Sequence, residues 1–343
     1  MRFRFVGLGA TGAAIASIIV GDPGCEIVDA VDRSERLHGR PLREVVAGYA
    51  GDLAVGEDVA VEVTADVAVV CTSSRLEEIA PTIEFLIEQG CHVLTIAEEM
   101  GFPRWSDGEL ARHLDSLAVG RGVSVLGTGC NPGMIMDTLP AVLSGLVSQV
   151  RGVEITRSAD MSRYGGILAK FGLALTPAEF DEQVAQGRVI GHIGFAQSIS
   201  ALADVFGWRL DRIELDPVTR VGVAASDLAG THLRLRRGSV NVVRHCARGV
   251  VDGSVRVDIR TYFGVFGPED DVPRGDTLTL TGTDQTVRLE VPRGYESFLS
   301  TVAMAANSAR ALPSLAPGLR TMADLTVRQI ACKPAAPGMT GSS

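Results

Sequence analysis

Long apolar runs are missing from this chain. Nothing in its 343 residues reaches about 18 consecutive apolar positions, so no segment reads as a membrane span. A basic excess is missing too: Lys and Arg number 32 against 41 Asp and Glu, a formal charge of −9. Without surplus cations to neutralise phosphates, a nucleic-acid partner and an anionic membrane surface are both disfavoured. The six cysteines (Cys25, Cys71, Cys91, Cys130, Cys246 and Cys332) contain no CxxC pair. That argues against a disulfide frame or a zinc site and suits reduced thiols in a cytoplasmic protein. None of the histidines stands at metal spacing from another, so no metal is expected. No internal repeat or low-complexity block is visible. The opening MRFRFVGLGATG passes straight into a strand and a glycine turn, which leaves no room for a signal peptide. What is present is an ordinary folded composition, 46% apolar and 21% charged, with 39 glycines that mostly punctuate element ends. The length suits two domains at roughly 100–200 residues each.

Up to residue 135, short apolar runs alternate with helical stretches. Strands are expected at 2–7, 26–32, 66–71, 92–97 and 123–126, and helices at 10–20, 76–89 and near 107–118. DVAVVC (66–71) hardly alternates, as befits a strand covered on both faces. Strand–helix alternation implies a parallel sheet with helices on both sides. Beyond about residue 150 the pattern changes. A strand at 153–156 and helices near 177–185 and 194–206 precede the alternating segments THLRLRRG, SVNVVRHCARGVV, SVRVDIRTYFGVF, DTLTLTG and TVRLEVPRG. Such alternation indicates an antiparallel sheet with one wet face. Expected boundaries are 1–135 for the first domain and 136–294 for the second. A helical segment over 295–330 packs back on the first, and 333–343 forms a frayed tail.

Gly7-Leu8-Gly9-Ala10-Thr11-Gly12 matches GxGxxG between a strand and a helix, the setting that gives the motif meaning. Gly7 permits the tight turn, Gly9 lets backbone approach a pyrophosphate, and Gly12 lets the helix pack on the strand. The helix N-terminus adds unpaired amides for the phosphates. Asp32, twenty residues past Gly12, could bind a ribose diol, while Arg33 beside it could hold a 2′-phosphate. The cofactor therefore reads as NADP or NAD. Cys71, Thr72 and Ser73 end the third strand, where they either face the cofactor or cap the next helix.

Glu98 and Glu99 follow the buried run HVLTIA, at the strand end where a nicotinamide belongs. Packing does not require two carboxylates there, although one or both could serve the following loop. Neighbouring side chains on an extended segment point opposite ways, so only one need face a pocket. GTGCNPG (127–133) makes a backbone-rich loop, in which Asn131 and Pro132 could approach the cofactor ring and Asn131 could bond a carboxamide with both donor and acceptor. An ordinary crossover loop is the alternative. Cys130 lacks an evident base and reads as a small buried thiol.

In this order, GLGATG, Asp32, HVLTIAEEM, GTGCNPG and GHIGFAQSI (191–199) resemble the 2,4-diaminopentanoate dehydrogenase family, which includes the native amine dehydrogenases. The resemblance covers roughly residues 1–330, and GTGCNPG and the EE pair after TIA are its specific parts. It implies an α/β chain: an N-terminal Rossmann doubly wound parallel sheet, like that of dihydrodipicolinate reductase, and a second α+β domain built on a largely antiparallel open sheet. It also implies a homodimer with the active site in the cleft between domains. The implied reaction is reversible: a small ketone or aldehyde, ammonia and NAD(P)H give an amine. The family's catalytic glutamate falls on Glu98 or Glu99. The paired-histidine and lysine signature of dihydrodipicolinate reductase itself is absent. No arginine cluster for an amino-acid carboxylate stands out, although Arg157 and Arg163 could contribute. YGGILAKFGLALT (164–176) is mostly apolar, and Met134, Tyr164, Leu168, Phe171, Leu175 and Thr176, with His192, suggest a small substrate pocket. Domain core is the other reading of Tyr164, Phe171 and Leu175. Two rival functions stay open: a dehydrogenase acting on a diamino acid, and a nucleotide-sensing regulatory protein that has lost its chemistry.

Overall fold

The computed structural model describes residues 1–163, 170–230 and 234–325. They form two compact units, Met1–Gly129 with the segment from Thr301, and Cys130–Ser300. The first unit contains β1 (Arg2–Val6), α1 (Ala10–Val20), β2 (Glu26–Val31), β3 (Val67–Val70), α2 (Leu76–Glu88), β4 (His92–Thr95), α3 (Pro103–Ser106), α4 (Gly108–Arg121) and β5 (Ser124–Gly127). The second contains α5 (Thr138–Leu143), β6 (Val150–Asp160), α6 (Pro177–Ala185), α7 (Phe195–Val205), β7 (Arg212–Leu215), β8 (Thr219–Val223), the short β9 (Leu228–Ala229) and β10 (Arg234–Leu235), β11 (Val240–Val251), β12 (Ser254–Gly264), β13 (Asp276–Gly282) and β14 (Thr286–Val291). Helix α8 (Ser297–Ala311) spans the junction, and β15 (Gly318–Arg320) follows it.

Strands buried on both faces define the first unit: every residue of β3 is inaccessible to solvent. Its sheet runs β15-β5-β4-β3-β1-β2, parallel throughout. β2 lies to one side of β1 and β3 to the other, so the strand order reverses between β1 and β3. Ligands of open α/β sheets bind beyond the strand carboxyl ends at such a reversal. Local chemistry sets the helix ends. The Asp107 side chain accepts N–H bonds from Glu109 and Leu110 at 2.9 Å, and Gly122, at φ +71°, terminates α4.

Three expectations need correction. The helical segment proposed for 295–330 ends at Ala311, where Pro313 and Pro317 break the pattern; a turn and β15 follow. The series of parallel strands therefore has a sixth member after 123–126. The boundary between units falls after Gly129, not after residue 135, because Asn131 and Gly133 are bonded to side chains of the second unit. Of THLRLRRG, Arg234–Leu235 pairs with β9, while 231–233 lie outside the described residues, as does the tail at 333–343.

The second sheet runs β14-β13-β6-β12-β11-β7, with β8 also on β11. All pairs are antiparallel except β6 with β12. Phe195, Ile199 and Leu202 of α7 share a core with Ile155, Ile259 and Leu278 from the sheet. Each such side chain contributes about 1.5–3 kcal/mol through burial.

Candidate active site

In the first unit the glycine loop is built by exclusion. Gly7 takes φ +95°, and a Cβ there would lie 2.7 Å from the Cys71 carbonyl oxygen. A Cβ on Gly12 would lie 2.1 Å from the Gly7 carbonyl oxygen. Gly9 is different: its backbone (φ −59°, ψ −179°) suits any residue, and nothing lies within 4 Å of where its Cβ would stand. No protein neighbour requires glycine there. Space beside the α1 N-terminus, which has no side-chain cap and no acid in its first turn, fits a pyrophosphate. Leu8 is buried, and Ala10 is exposed beside Gly9.

Asp32 directly follows β2, and Oδ2 accepts the Leu8 N–H at 2.6 Å, which ties it to this loop. Arg33 is exposed. At the end of β3, burial pushes the Cys71 thiol up to about 12, so it is inert as a nucleophile. Thr72 packs its methyl beside Gly7. Ser73 accepts the Arg75 N–H at 3.2 Å and donates to Glu78, so its hydroxyl is tied to the turn that leads into α2.

The two glutamates separate. Glu99 Oε2 accepts the Leu76 N–H at 2.8 Å, at the first residue of α2, and the Glu99 N–H donates to Ser74 O at 3.1 Å. Glu99 thus joins the end of β4 to the start of α2. Glu98, half-buried, opens the turn after β4. His92 accepts the Ser124 N–H at 3.0 Å and stitches β4 to β5; burial lowers its pKa.

In the second unit a buried ion pair organises the GTGCNPG loop. Arg157 Nε meets Asp276 Oδ1 at 3.2 Å, and Nη2 donates to Tyr295 O and Ser297 Oγ, each at 3.2 Å. Nη1 donates to Asn131 Oδ1. Arg157 is therefore a structural hub, already engaged by protein partners. Asn131 has its oxygen taken, which leaves its amide N–H groups for a ligand. Pro132 is buried. Burial raises the Cys130 pKa despite the Arg157 guanidinium at 3.7 Å, as expected of an inert thiol. Asp137, also buried, accepts from Gly133 N (2.9 Å), Ser198 Oγ (2.8 Å) and Thr138 N (2.6 Å), and so binds NPG to FAQS.

The proposed pocket residues divide. His192 packs edge-on to Phe195 (centroids 4.6 Å) and tilted against Phe263 (5.6 Å). Its Nε2 is buried and has no hydrogen-bond partner among the described residues. Burial, then the Lys170 cation, hold its imidazole well below the ordinary value, so it is neutral. The His192 backbone N–H donates to His245 Nδ1 at 3.0 Å. Phe171 and Leu175 belong to a core cluster with Phe180 and Val243. Thr176 is exposed and caps α6 through a reciprocal pair with Glu179. Met134 is half-buried, and Tyr164 and Leu168 lie outside the described residues.

Arg157, named from the sequence only as a possible ligand for a substrate carboxylate, is instead bonded to Asp276, Asn131, Tyr295 and Ser297, and the roles of Asp276, Asp137, Ser198 and His245 escaped the sequence reading. A signal existed for two of them. Arg157 stands in phase with Val153 and Ile155, and Asp276 with Leu278 and Leu280. A charged residue on the buried face of a strand needs a partner.

Parallel sheet, glycine loop and strand-end carboxylates define a nicotinamide-dependent dehydrogenase of Rossmann type. The model of the 2,4-diaminopentanoate dehydrogenase C-terminal domain matches residues 134–336. The 2,4-diaminopentanoate dehydrogenase of Acetoanaerobium sticklandii is 33% identical over 339 residues, 95% of this chain and 94% of that protein. The chain belongs to the 2,4-diaminopentanoate dehydrogenase family and is an NAD(P)-dependent oxidoreductase acting on CH–NH2 groups. Its fold is similar to that of the amine dehydrogenase from Mycobacterium smegmatis, with TM-score 0.82, 23% identity, and 96% of this chain and 97% of that one covered. The fold is also similar to that of Synechocystis biliverdin reductase, solved with biliverdin and NADP+, with TM-score 0.53, 12% identity and coverage of 91% and 89%.

Proposed function

We propose that the enzyme interconverts a small ketone or aldehyde, with ammonia, and the corresponding amine, and that Glu98 is its proton-transferring carboxylate. The observation that carries this is the place of Glu98, half-buried in the turn that follows β4, at the carboxyl end of the parallel sheet where ligands of this fold bind. Gly7–Gly12 and the ends of β1 and β3 would hold a nicotinamide dinucleotide, which would supply or accept the hydride. Glu98 takes a proton from the incoming ammonium, which frees the amine to attack the carbonyl. It then returns the proton to the departing hydroxyl as the carbinolamine loses water. The same carboxylate stabilises the iminium cation that hydride reduces. Glu99 keeps the β4 end and the Ser74–Leu76 segment in register. In the oxidative direction Glu98 delivers the proton that lets ammonia leave as ammonium.

A second reading is favoured by one observation. The buried Nε2 of neutral His192, without a partner among the described residues, suits a polar group on the substrate beyond the reacting carbonyl, which a simple ketone lacks. That points to a diamino acid, as the name of the Acetoanaerobium sticklandii relative suggests. Homodimer assembly and a reducing, cytoplasmic location complete the proposal; the five described cysteines are all free, and no described helix is long and apolar enough to cross a membrane.

NAD(P)H consumption with ammonia and either a simple ketone or a 2-amino-4-oxo acid tests the choice of substrate. Glu98→Ala should cost about a hundredfold or more in kcat, whereas Glu99→Gln should keep most of kcat. The opposite ranking would move the catalytic role to Glu99. An unchanged rate in both variants would end the mechanism.

A further inference from the structure

The turn that carries His192 is tied down through its backbone. The N–H groups of Ile190 and Gly191 donate to Lys170 O at 2.9 and 2.8 Å, and the His192 N–H donates to His245 Nδ1 at 3.0 Å. Gly191, at φ +72°, permits this close approach, since a Cβ there would lie 2.6 Å from His245 Nδ1. Gly194, at φ +116°, ends the turn and opens α7. The His192 imidazole lies between Phe195 and Phe263, and Phe171 packs on Phe263 at 4.7 Å. These aromatic walls fix how the ring is turned. They leave its buried Nε2 without a partner among the described residues.

His245, on β11, is defined as closely. Its ring meets Phe195 edge-on at 5.0 Å, and its carbonyl accepts the Thr261 hydroxyl at 2.7 Å. An N–H aimed at Nδ1 requires a lone pair there, which places the ring proton on Nε2. The backbone of Asp216 takes that proton's hydrogen bond: its N–H is given to Cys246 O, and its carbonyl serves as the acceptor. Burial keeps the imidazole neutral, with its pKa lowered to about 4. Asp216 therefore holds the ring, and the ring holds His192. An apolar side chain of similar size would fill the same space without the cost of burying two ring nitrogens.

We propose that His245 is a positioning residue for substrate recognition: by accepting the His192 N–H it fixes where His192 Nε2 stands, and so sets the affinity for a substrate with a polar group beyond its reacting carbonyl. This rests on the reading of His192 as a substrate contact. A hydrogen bond to a ligand demands placement within about 0.5 Å, which a ring on a glycine-flanked turn reaches only when its backbone is held. His245 acts through His192, because both of its own nitrogens are spent on protein.

Steady-state kinetics with NAD(P)H, ammonia and a 2-amino-4-oxo acid test it, with a simple ketone run alongside. The asparagine amide branches at the same atom as the imidazole, so His245→Asn puts an acceptor oxygen near the place of Nδ1. The glutamine amide reaches one atom further, to the place of Nε2, and His245→Gln keeps only the tie to Asp216. His245→Asn should hold KM for the oxo acid within about threefold of wild type. His245→Gln and His245→Leu should raise it about tenfold, the worth of one hydrogen bond, with kcat changed less than about threefold. KM for the simple ketone should rise less than about threefold in each variant. Should His245→Leu fail to fold, the contrast between asparagine and glutamine decides the matter. Equal KM values in those two variants, or an equal rise for both substrates, would overturn the positioning role and leave His245 a packing residue. His192→Phe tests the underlying reading separately, and should raise KM for the oxo acid about tenfold or more. An unchanged KM in that variant would instead bring down the reading of His192 as a substrate contact.

Discussion

Two glycine-rich loops follow buried strands in this chain, and they are held by opposite means. The Gly7–Gly12 loop is fixed by contacts that forbid a side chain: a Cβ on Gly12 would stand 2.1 Å from the Gly7 oxygen. The Gly127–Gly133 loop is fixed at Asn131 and Gly133 by buried charged groups, Arg157 and Asp137. The first loop takes its shape mainly from its own residues, with Cys71 as a wall. The second takes its shape from residues that arrive much later in the chain. A loop of the first kind tolerates change elsewhere in the fold. One of the second kind depends on distant strands being in place.

The sharpest test of that difference is Arg157→Ala. It strips Asp276 of its cation and Asn131 of its donor in a site closed to water. Breaking a buried pair from one side costs about 3–5 kcal/mol, so urea denaturation should show a loss of that order and a lower Tm. A loss below about 1 kcal/mol would mean that the second loop keeps its shape without the ion pair. An exposed cation such as Arg33, removed in the same way, should change stability by no more than about 0.5 kcal/mol.

The same contrast explains what could be read from the sequence. The glycine motif, the parallel strands and the carboxylate pair were legible because each depends on local spacing and on runs buried from both sides. DVAVVC contains β3, and HVLTIA contains β4. The hub at Arg157 was not legible, because its partners Asn131, Asp276, Tyr295 and Ser297 are brought together only by the sheet order. The parallel pairing of β6 with β12 was hidden for a related reason. Alternation reports which face is wet and is silent on strand direction. Phe171 and Leu175 illustrate a third limit: an apolar stretch near a suspected site has the same composition whether it lines a pocket or fills a core.

Acid should separate the two regions next. His245, which accepts the His192 N–H, is lowered from 6.5 to about 4, chiefly by burial and against the pull of Asp216. His192 is lowered as well, and by burial first. Because the unfolded chain protonates these imidazoles before the folded one does, stability contributed here is complete above pH 6.5. It falls as pH drops from there toward about 4. For His245 the loss approaches about 3 kcal/mol, on the order of 1.4 kcal/mol for each pH unit crossed. Chemical denaturation at pH 7 and pH 5 should therefore show a decline that shrinks in His245→Gln. An equal decline in that variant would place the acid sensitivity elsewhere.

Gly9→Ala should change stability little and has the most to say about the first loop. Gly7 and Gly12 are glycines because the protein leaves no room for a side chain; at Gly9 it leaves ample room. Alanine fits its backbone angles, and the change at a helix N-cap should cost under about 1 kcal/mol. Yet the added methyl would occupy the space where phosphate oxygens must approach the α1 amides. Nicotinamide binding should therefore weaken about tenfold or more, while Tm hardly moves, since displacing even one charge-assisted contact has that effect. Calorimetry and fluorescence titration on the same sample separate the two quantities. Equal losses in Tm and affinity would make Gly9 a folding residue like its neighbours. Loss of affinity alone would show that one glycine of the three is kept for a ligand and not for the chain.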